Sequence, residues 1–580
     1  MSVSIRSALL STLLLGMPVT IASAQQPSSG HTYTVNCDGA KQSTENDLHS
    51  LDEVNSLSLD SGDKVLFKRG TVCHGSLHPR GSGFHIGAYG VGPLPMIEAA
   101  SSDEEALRLF NQEQISIDSL ELRGGTTYGV YISGDHGTMH SISLSNLTVS
   151  GVRGNLQKKE SGLVVIRSAS PKATFQDVHL DSIRAFDTTQ WAGILIVGTS
   201  RNNPAQSITI DHSVVHDVQG DGIAIFNGSQ SSIKHSVAWH TGMQHQQSIG
   251  TPNAIWTWQC NACVVEGNEA FLTDSPGVDG GAFDIDWGNM SNRYLQNFAH
   301  DTQGYCISVF AANGPTKDSV ISGNVCHNNG LSPRLAQRQG AILLMTWNSG
   351  TIDGVDIDNN RVDWQPAGNT PLVQIGDGLN ITGIVLRNNE FHSTGTMFVD
   401  PALTYRGSSN QFFLEHATDA DLAEVRQGLL PAHAGDAKVE LEPANSLLPR
   451  AGMHAIGWRL IATVPAHGSH TPQNLSAVLL NLRIAAIEYS HAGLAVSMAG
   501  DMDSLQAACD WQLPEEGVEL KKLSTSQPLK FSLTLLAPGG RMVRTWSDAA
   551  TFIDLGMALR KALGEPDYGR LQIENIRATN

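Results

Sequence analysis

The chain has 580 residues, of which 57 are glycine and only 16% are charged, and its formal net charge is −19. That balance argues against nucleic acid and against unaided capture of a polyanion, leaving neutral or cationic partners. The abundance of Gly, Asn, Ser and Thr favours strands and tight turns over helices.

Residues 1–24 carry a lone Arg6, an apolar run from Ala8 to Ile21, and Ala22-Ser23-Ala24 before Gln25, the pattern of a cleaved export signal. A secreted or periplasmic chain follows, one charge more negative without Arg6. No later stretch approaches the roughly 18 uninterrupted apolar residues that a membrane span requires. Seven cysteines permit disulfides in such a compartment but cannot all pair. Cys37 with Cys73 is the first choice, and Cys306 with Cys326 a further pair. Cys260 and Cys263 lack the second pair a zinc site needs, which favours a local bridge or buried thiols. Cys509 is then left over.

Residues 25–109 alternate short apolar runs with Gly-rich turns and read as an N-terminal cap with first strands. From 110 to 415 one unit recurs: an apolar-alternating run, a polar turn, a second run ending in Asn or Ser, a third short run, and a Gly-containing turn. Aligning the second runs brings Ser119, Asn146, Ser182, Ser213, Ser236, Asn268, Asn297, Asn324, Asn360 and Asn389 into one column, spaced 23 to 36 residues apart. A small polar side chain inside a sharp turn can bond its own backbone and the equivalent residue of the next coil, at about 4.8 Å per coil. The expectation is an all-β parallel solenoid of about ten coils.

Three residues after that column come His216, Trp239, Phe271, His300, His327, Asp363 and His392, which by alternation face outward on the third sheet as a stacking feature. The first runs should line one continuous sheet whose outward set is Tyr131, Arg167, Phe226, Trp256, Trp258, Asp284, Asp286, Phe310, Trp347 and Gln374. Beyond 415 the pattern breaks. Residues 416–449 read as a helical connector, beginning with HATDADLAEVRQGLL. Residues 450–580 read as a smaller C-terminal domain of antiparallel strands with one helix near DAATFIDLGMALRKAL.

The chemistry concentrates in GVDGGAFDIDWGN, residues 277–289. If Phe283 and Ile285 enter the core, Asp284 and Asp286 emerge together with Cα atoms about 6.6 Å apart, and each raises the other's proton affinity. Asp279 and Asp221, each just before a first-sheet strand, would rim the same groove. His300, entering the turn beside the acidic coil, is a fourth catalytic candidate. Trp256, Trp258, Phe226, Phe310 and Trp347, with Arg167, would form the sugar-binding walls, since flat apolar sugar faces pack on rings. Calcium held by Asp279, Asp284 and Asp286 is the alternative use of the acids.

LFKRGT, GSG and GAYGVGPLPMI resemble the N-terminal region of secreted pectate-lyase-like right-handed β-helix proteins, over roughly residues 31–415. The resemblance implies a right-handed parallel β-helix and a polysaccharide or oligosaccharide partner. It does not imply one reaction, because that superfamily includes lyases, glycosidases, epimerases and non-enzymes. The polygalacturonase motifs Asn-Thr-Asp, Asp-Asp, Gly-His-Gly and Arg-Ile-Lys are not found as a set. The closing RLQIENIRA resembles the last strand of jelly-roll carbohydrate-binding modules. The leading expectation is an exported glycoside hydrolase using Asp284 and Asp286 as general acid and base or nucleophile, with Asp279 in support. A calcium-assisted polysaccharide lyase or epimerase comes second, and a non-catalytic glycan-binding β-helix third.

Overall fold

The computed structural model describes residues 30–39, 46–243, 248–275, 278–332, 340–366 and 368–415. Beyond these it describes the backbone of strands Lys438–Glu442, Trp458–Pro465, Ser532–Leu536, Met542–Ser547, Leu571–Ile573 and Arg577–Thr579. The export signal, both expected C-terminal helices and Cys509 lie outside the described residues.

Three parallel sheets of 10, 16 and 14 strands run the length of the solenoid. One coil shows the path: Phe283–Ile285 on the first sheet, Arg293–Leu295 on the second and Phe298–His300 on the third, before Ile307–Ala312 returns to the first. Stacking already begins at Thr32–Val35, which pairs in parallel with Lys64–Lys68, and the third sheet continues through Lys438–Glu442 paired with Gln411–Glu415. The solenoid therefore extends at both ends past residues 110 and 415, and that last strand falls within the expected connector.

Alternation places one side chain in two inside. Ile194, Ile223, Ile255, Phe283, Ile307, Ile342 and Val373 form an inward column of the first sheet, each at most 1% exposed. Burying each such side chain contributes about 1.5–3 kcal/mol. Disulfides Cys37–Cys73, Cys260–Cys263 and Cys306–Cys326 are all formed.

The turn between the second and third sheets holds the ladder from Ser213 onward. Asn297 Oδ1 accepts from the backbone amide and Nδ2 of Asn268, both at 3.0 Å, while Asn297 Nδ2 donates to Val265 O at 2.9 Å and Asn324 Oδ1 at 3.0 Å. The pattern repeats through Asn360 and Asn389 and ends on Asn410, which the alignment of second runs does not include. In the first three coils the expected column is displaced by one residue. Ser119, Asn146 and Ser182 occupy the preceding left-handed position, at φ 58°, 50° and 57°, and the inward residues are Leu120, Leu147 and Ile183. Asn tolerates left-handed backbone better than most residues, so a small polar residue in such a turn can fill either of two adjacent columns.

The outward column of the third sheet is as expected: His216 stacks on Trp239 with ring centroids 4.2 Å apart, and Phe271 on His300 at 4.7 Å. In the C-terminal region Trp458–Pro465 pairs antiparallel with Ser532–Leu536 but parallel with Leu571–Ile573 and Arg577–Thr579. The sheet is thus mixed rather than antiparallel, because the closing run lies alongside Trp458–Pro465 in the same direction. No described helix is long and apolar enough to cross a membrane.

Candidate active site

Strand Phe283–Ile285 sits between Ile255–Trp258 and Ile307–Ala312, with Asp284 in register with Trp256 on one side and Ser308 on the other. Phe283 and Ile285 are fully buried in the solenoid core, so Asp284 and Asp286 emerge on the outer face. The ladder holds one residue further, where the Asp286 amide donates to Thr257 O at 3.1 Å. From inside the solenoid the Tyr294 hydroxyl donates to the Asp284 carbonyl oxygen at 2.6 Å, fixing the strand from behind.

The two acids differ in surroundings. Asp284 is 1% exposed, its Oδ1 accepting from Ser308 Oγ at 2.6 Å and its Oδ2 from Asn253 Nδ2 at 3.0 Å. Asp286 is half-buried, and its Oδ1 accepts the Trp287 amide at 2.7 Å. Asn253 is the junction of the site. Its Oδ1 takes the Tyr305 hydroxyl at 2.9 Å and the Gly281 amide at 3.1 Å, while its own amide donates to Asp221 Oδ1 at 3.2 Å. Residue 281 must be glycine here, because a Cβ would lie 2.0 Å from the Tyr305 ring.

Asp221 is fully buried, its Oδ2 accepting from Trp191 Nε1 at 2.6 Å and facing Lys159 Nζ at 3.6 Å. Lys159 rides on the segment between strands Thr148–Val152 and Gly162–Ser168, and its ammonium lies 4.5 Å above the Trp256 ring. Burial pushes the Asp284 carboxyl well above the ordinary carboxylate range, reinforced by the charges of Asp286 and Asp279 and opposed by Ser308 and Lys159. Burial likewise raises Asp286, to about 7, against the Trp287 amide and with the charge of Asp279. Burial also raises Asp221, against the pull of Lys159.

Rings flank the acids on both sides. Phe226 packs on Trp256 and Trp258 at 4.8 and 5.7 Å, and Trp258 meets Trp287 edge-on at 5.0 Å. Beyond Asp284, Tyr305 packs on Phe310 at 5.5 Å and Phe310 on Trp347 at 5.8 Å. All five expected aromatics face outward, but Phe226, Trp256 and Phe310 are buried beneath neighbouring rings and the Lys159 segment. The half-buried Trp258, Trp287 and Trp347 form the open edge.

The structure thus gathers Asp284, Asp286 and Asp221 with the aromatics. Asp279, half-buried in a left-handed turn at φ 63°, is near enough for its charge to act on both acids. Arg167 shares the outward column of Asp286 four strands away, about 19 Å, and bonds Glu160 at 2.8 Å. His300 does not join the acids: it lies on the third sheet, 1% exposed, between Glu269 Oε1 at 2.8 Å and Asp301 Oδ2 at 2.6 Å. Entering the turn toward the first sheet leaves its side chain on the wrong face of the coil for catalysis beside Asp284. Lys159, Trp191, Asn253, Tyr305, Ser308 and Trp287 were not among the residues expected from sequence.

The described coils form a right-handed parallel β-helix. The family model described as "Right handed beta helix region" matches residues 161–362. A solved GH136 lacto-N-biosidase from Eubacterium ramulus is similar in fold, with 19% identity and a TM-score of 0.42, covering 57% of this chain and 68% of that one. A mannuronic acid specific polysaccharide family 6 lyase from human gut microbiota has 12% identity and a TM-score of 0.36, over 71% and 92% of the two chains. The A-module of the Azotobacter vinelandii mannuronan C-5 epimerase has 12% identity and a TM-score of 0.32, over 66% and 89%. No curated protein matches the sequence.

Proposed function

We propose that this chain is an exported glycoside hydrolase acting on an oligo- or polysaccharide laid along the first sheet. The observation that carries this reading is Asp286: a half-buried carboxyl with its proton affinity raised to about 7, close to further carboxylates and flanked by tryptophan. A general acid must hold a proton near neutral pH and be open to the substrate, and the raised proton affinity and partial exposure of Asp286 support that role. The developing positive charge at the sugar requires an ionised partner, and Asp279, also half-buried, is assigned that role as base or nucleophile. Asp284 is better suited to support than to contact, because both its oxygens are engaged from within the protein. Three disulfides favour an oxidising, extracytoplasmic compartment.

A broad panel of plant and bacterial glycans, read for reducing ends and for the absorbance of unsaturated products, tests the assignment. Reducing ends without unsaturation are expected, and unsaturated products would replace hydrolysis with elimination. A uronate lyase or epimerase is the second reading, favoured by the Lys159 ammonium over Trp256, since such chemistry must neutralise a substrate carboxylate. That ammonium already faces Asp221 at 3.6 Å within the protein, which favours hydrolysis as the first reading.

A further inference from the structure

At the corner where the second sheet turns into the third, two histidines and an aspartate converge. Asp211 ends strand Ala205–Asp211, His212 follows it in left-handed backbone at φ 46°, and His235 takes the same place one coil later at φ 44°. Shared backbone geometry aims both imidazoles alike, stacked with centroids 5.4 Å apart. His235 Nδ1 lies 2.8 Å from Asp211 Oδ1, and His212 Nδ1 lies 3.5 Å from the same oxygen. His212 Nδ1 also stands 2.8 Å from Oδ1 of Asp181, which comes from the coil before.

We propose that Asp211, His212 and His235, with Asp181 beside them, form a binding site for a divalent transition cation of the zinc class. Nitrogen and carboxylate donors suit that class, and ligand atoms around a tetrahedral zinc stand about 3.3 Å apart, close to the spacings here. One ligand atom from each of Asp211, His212 and His235 can be chosen so that all lie within 4.8 Å of one another. A neighbouring corner supplies the contrast. There His216 and His240 engage opposite oxygens of Asp217, at 2.7 and 3.1 Å, so their nitrogens do not meet at one point. Lys234, in register with Asp211, does not fill the site, since its ammonium bonds Glu266 at 2.9 Å. The ligand side chains are 13 to 16% exposed and Asp181 is 50% exposed, so an ion can enter from solvent. Bound there it would tie three successive coils together, each imidazole offering Nδ1 as the bare nitrogen and carrying its single proton on Nε2.

The test uses the full chain without a histidine tag, stripped with chelator and titrated with zinc chloride by calorimetry, with melting followed in parallel. One saturable ion per chain and a rising melting temperature are expected. His212→Ala and His235→Ala should each bind at least about ten-fold more weakly, while His240→Ala binds as the unaltered chain does. Equal loss in His240→Ala, or no loss in the first two variants, would overturn the site. Cobalt(II) on the unaltered chain needs no variant to fold: tetrahedral d–d absorption supports the site, and its absence at saturation sinks it.

Discussion

The side-chain amide of Asn253 reaches Asp284 Oδ2 at 3.0 Å, while the carbonyl end of the same amide is held by the Tyr305 hydroxyl and the Gly281 amide. Turning that amide over would set Nδ2 against the Gly281 amide and Oδ1 against Asp284 Oδ2, so its orientation is fixed from both ends. Replacing it by Asp sets a carboxylate against Asp284 and should raise proton affinity at the acidic cluster further. Turnover is expected to fall by about ten- to hundred-fold, as when a preorganised donor is lost, with the acid limb of the pH profile moving upward. An unshifted profile would leave Asn253 a merely structural residue.

The two strand acids should respond differently to amide substitution. Asp286→Asn removes the proposed proton donor from a half-buried position and should lower turnover at least about 100-fold, with melting unchanged or slightly raised as crowding of like charges is relieved. Asp284→Asn can keep its oxygen on Asn253 Nδ2 but must turn its amide onto Ser308 Oγ, whose own proton then loses this acceptor, so it should also cost about 0.5–1.5 kcal/mol of stability. Steady-state kinetics with thermal melts on both variants separates these outcomes. Near-normal turnover in Asp286→Asn would refute the assigned acid.

The site's titration should be visible in folding as well. Asp286 holds its proton to about 7 in the folded chain against an ordinary 3.8, so the folded state binds the proton more tightly. Its contribution is fully present below about pH 4, declines as pH rises through the interval to about 7, and is then flat. Denaturant midpoints across that window should slope downward in the unaltered chain and less steeply in Asp286→Asn. Equal slopes would remove Asp286 as the source.

The fold and half of the site were legible in sequence for one reason, the period of two. Phe283 and Ile285 could not both be core without turning Asp284 and Asp286 outward, and the same phase carried to Trp256, Trp258 and Phe310. What alternation does not encode is which turn folds over the sheet. Lys159 reaches Trp256 from a segment whose composition reads as solvated, and Asn253 precedes its strand, where the period has not begun. Burial of Phe226 and Trp256 follows from those missing neighbours. His300 follows the acidic strand closely along the coil but not across it, because a corner separates its sheet from the acids.

The ladder's one-residue displacement in the first coils leads to the last prediction. Leu120, Leu147 and Ile183 fill the inward turn position as buried apolar side chains. Asn297 has amides on both sides, so Asn297→Leu takes the acceptor from the Asn268 backbone amide and one of two acceptors from Asn268 Nδ2, and removes one donor each from Val265 O and Asn324 Oδ1. Each buried group left unpaired costs about 1–3 kcal/mol, and several are lost together. Ser213 stands at the boundary, its hydroxyl accepting from the Ile183 amide at 3.3 Å and donating to Asp211 O at 2.9 Å. Ser213→Val breaks only those two bonds and is compensated by apolar contact with Ile183, so it should cost less than half as much. Chemical denaturation of both variants, under conditions where unfolding is reversible, provides the comparison. If Ser213→Val proves as damaging as Asn297→Leu, the cost arises from turn geometry rather than from the continuity of the ladder.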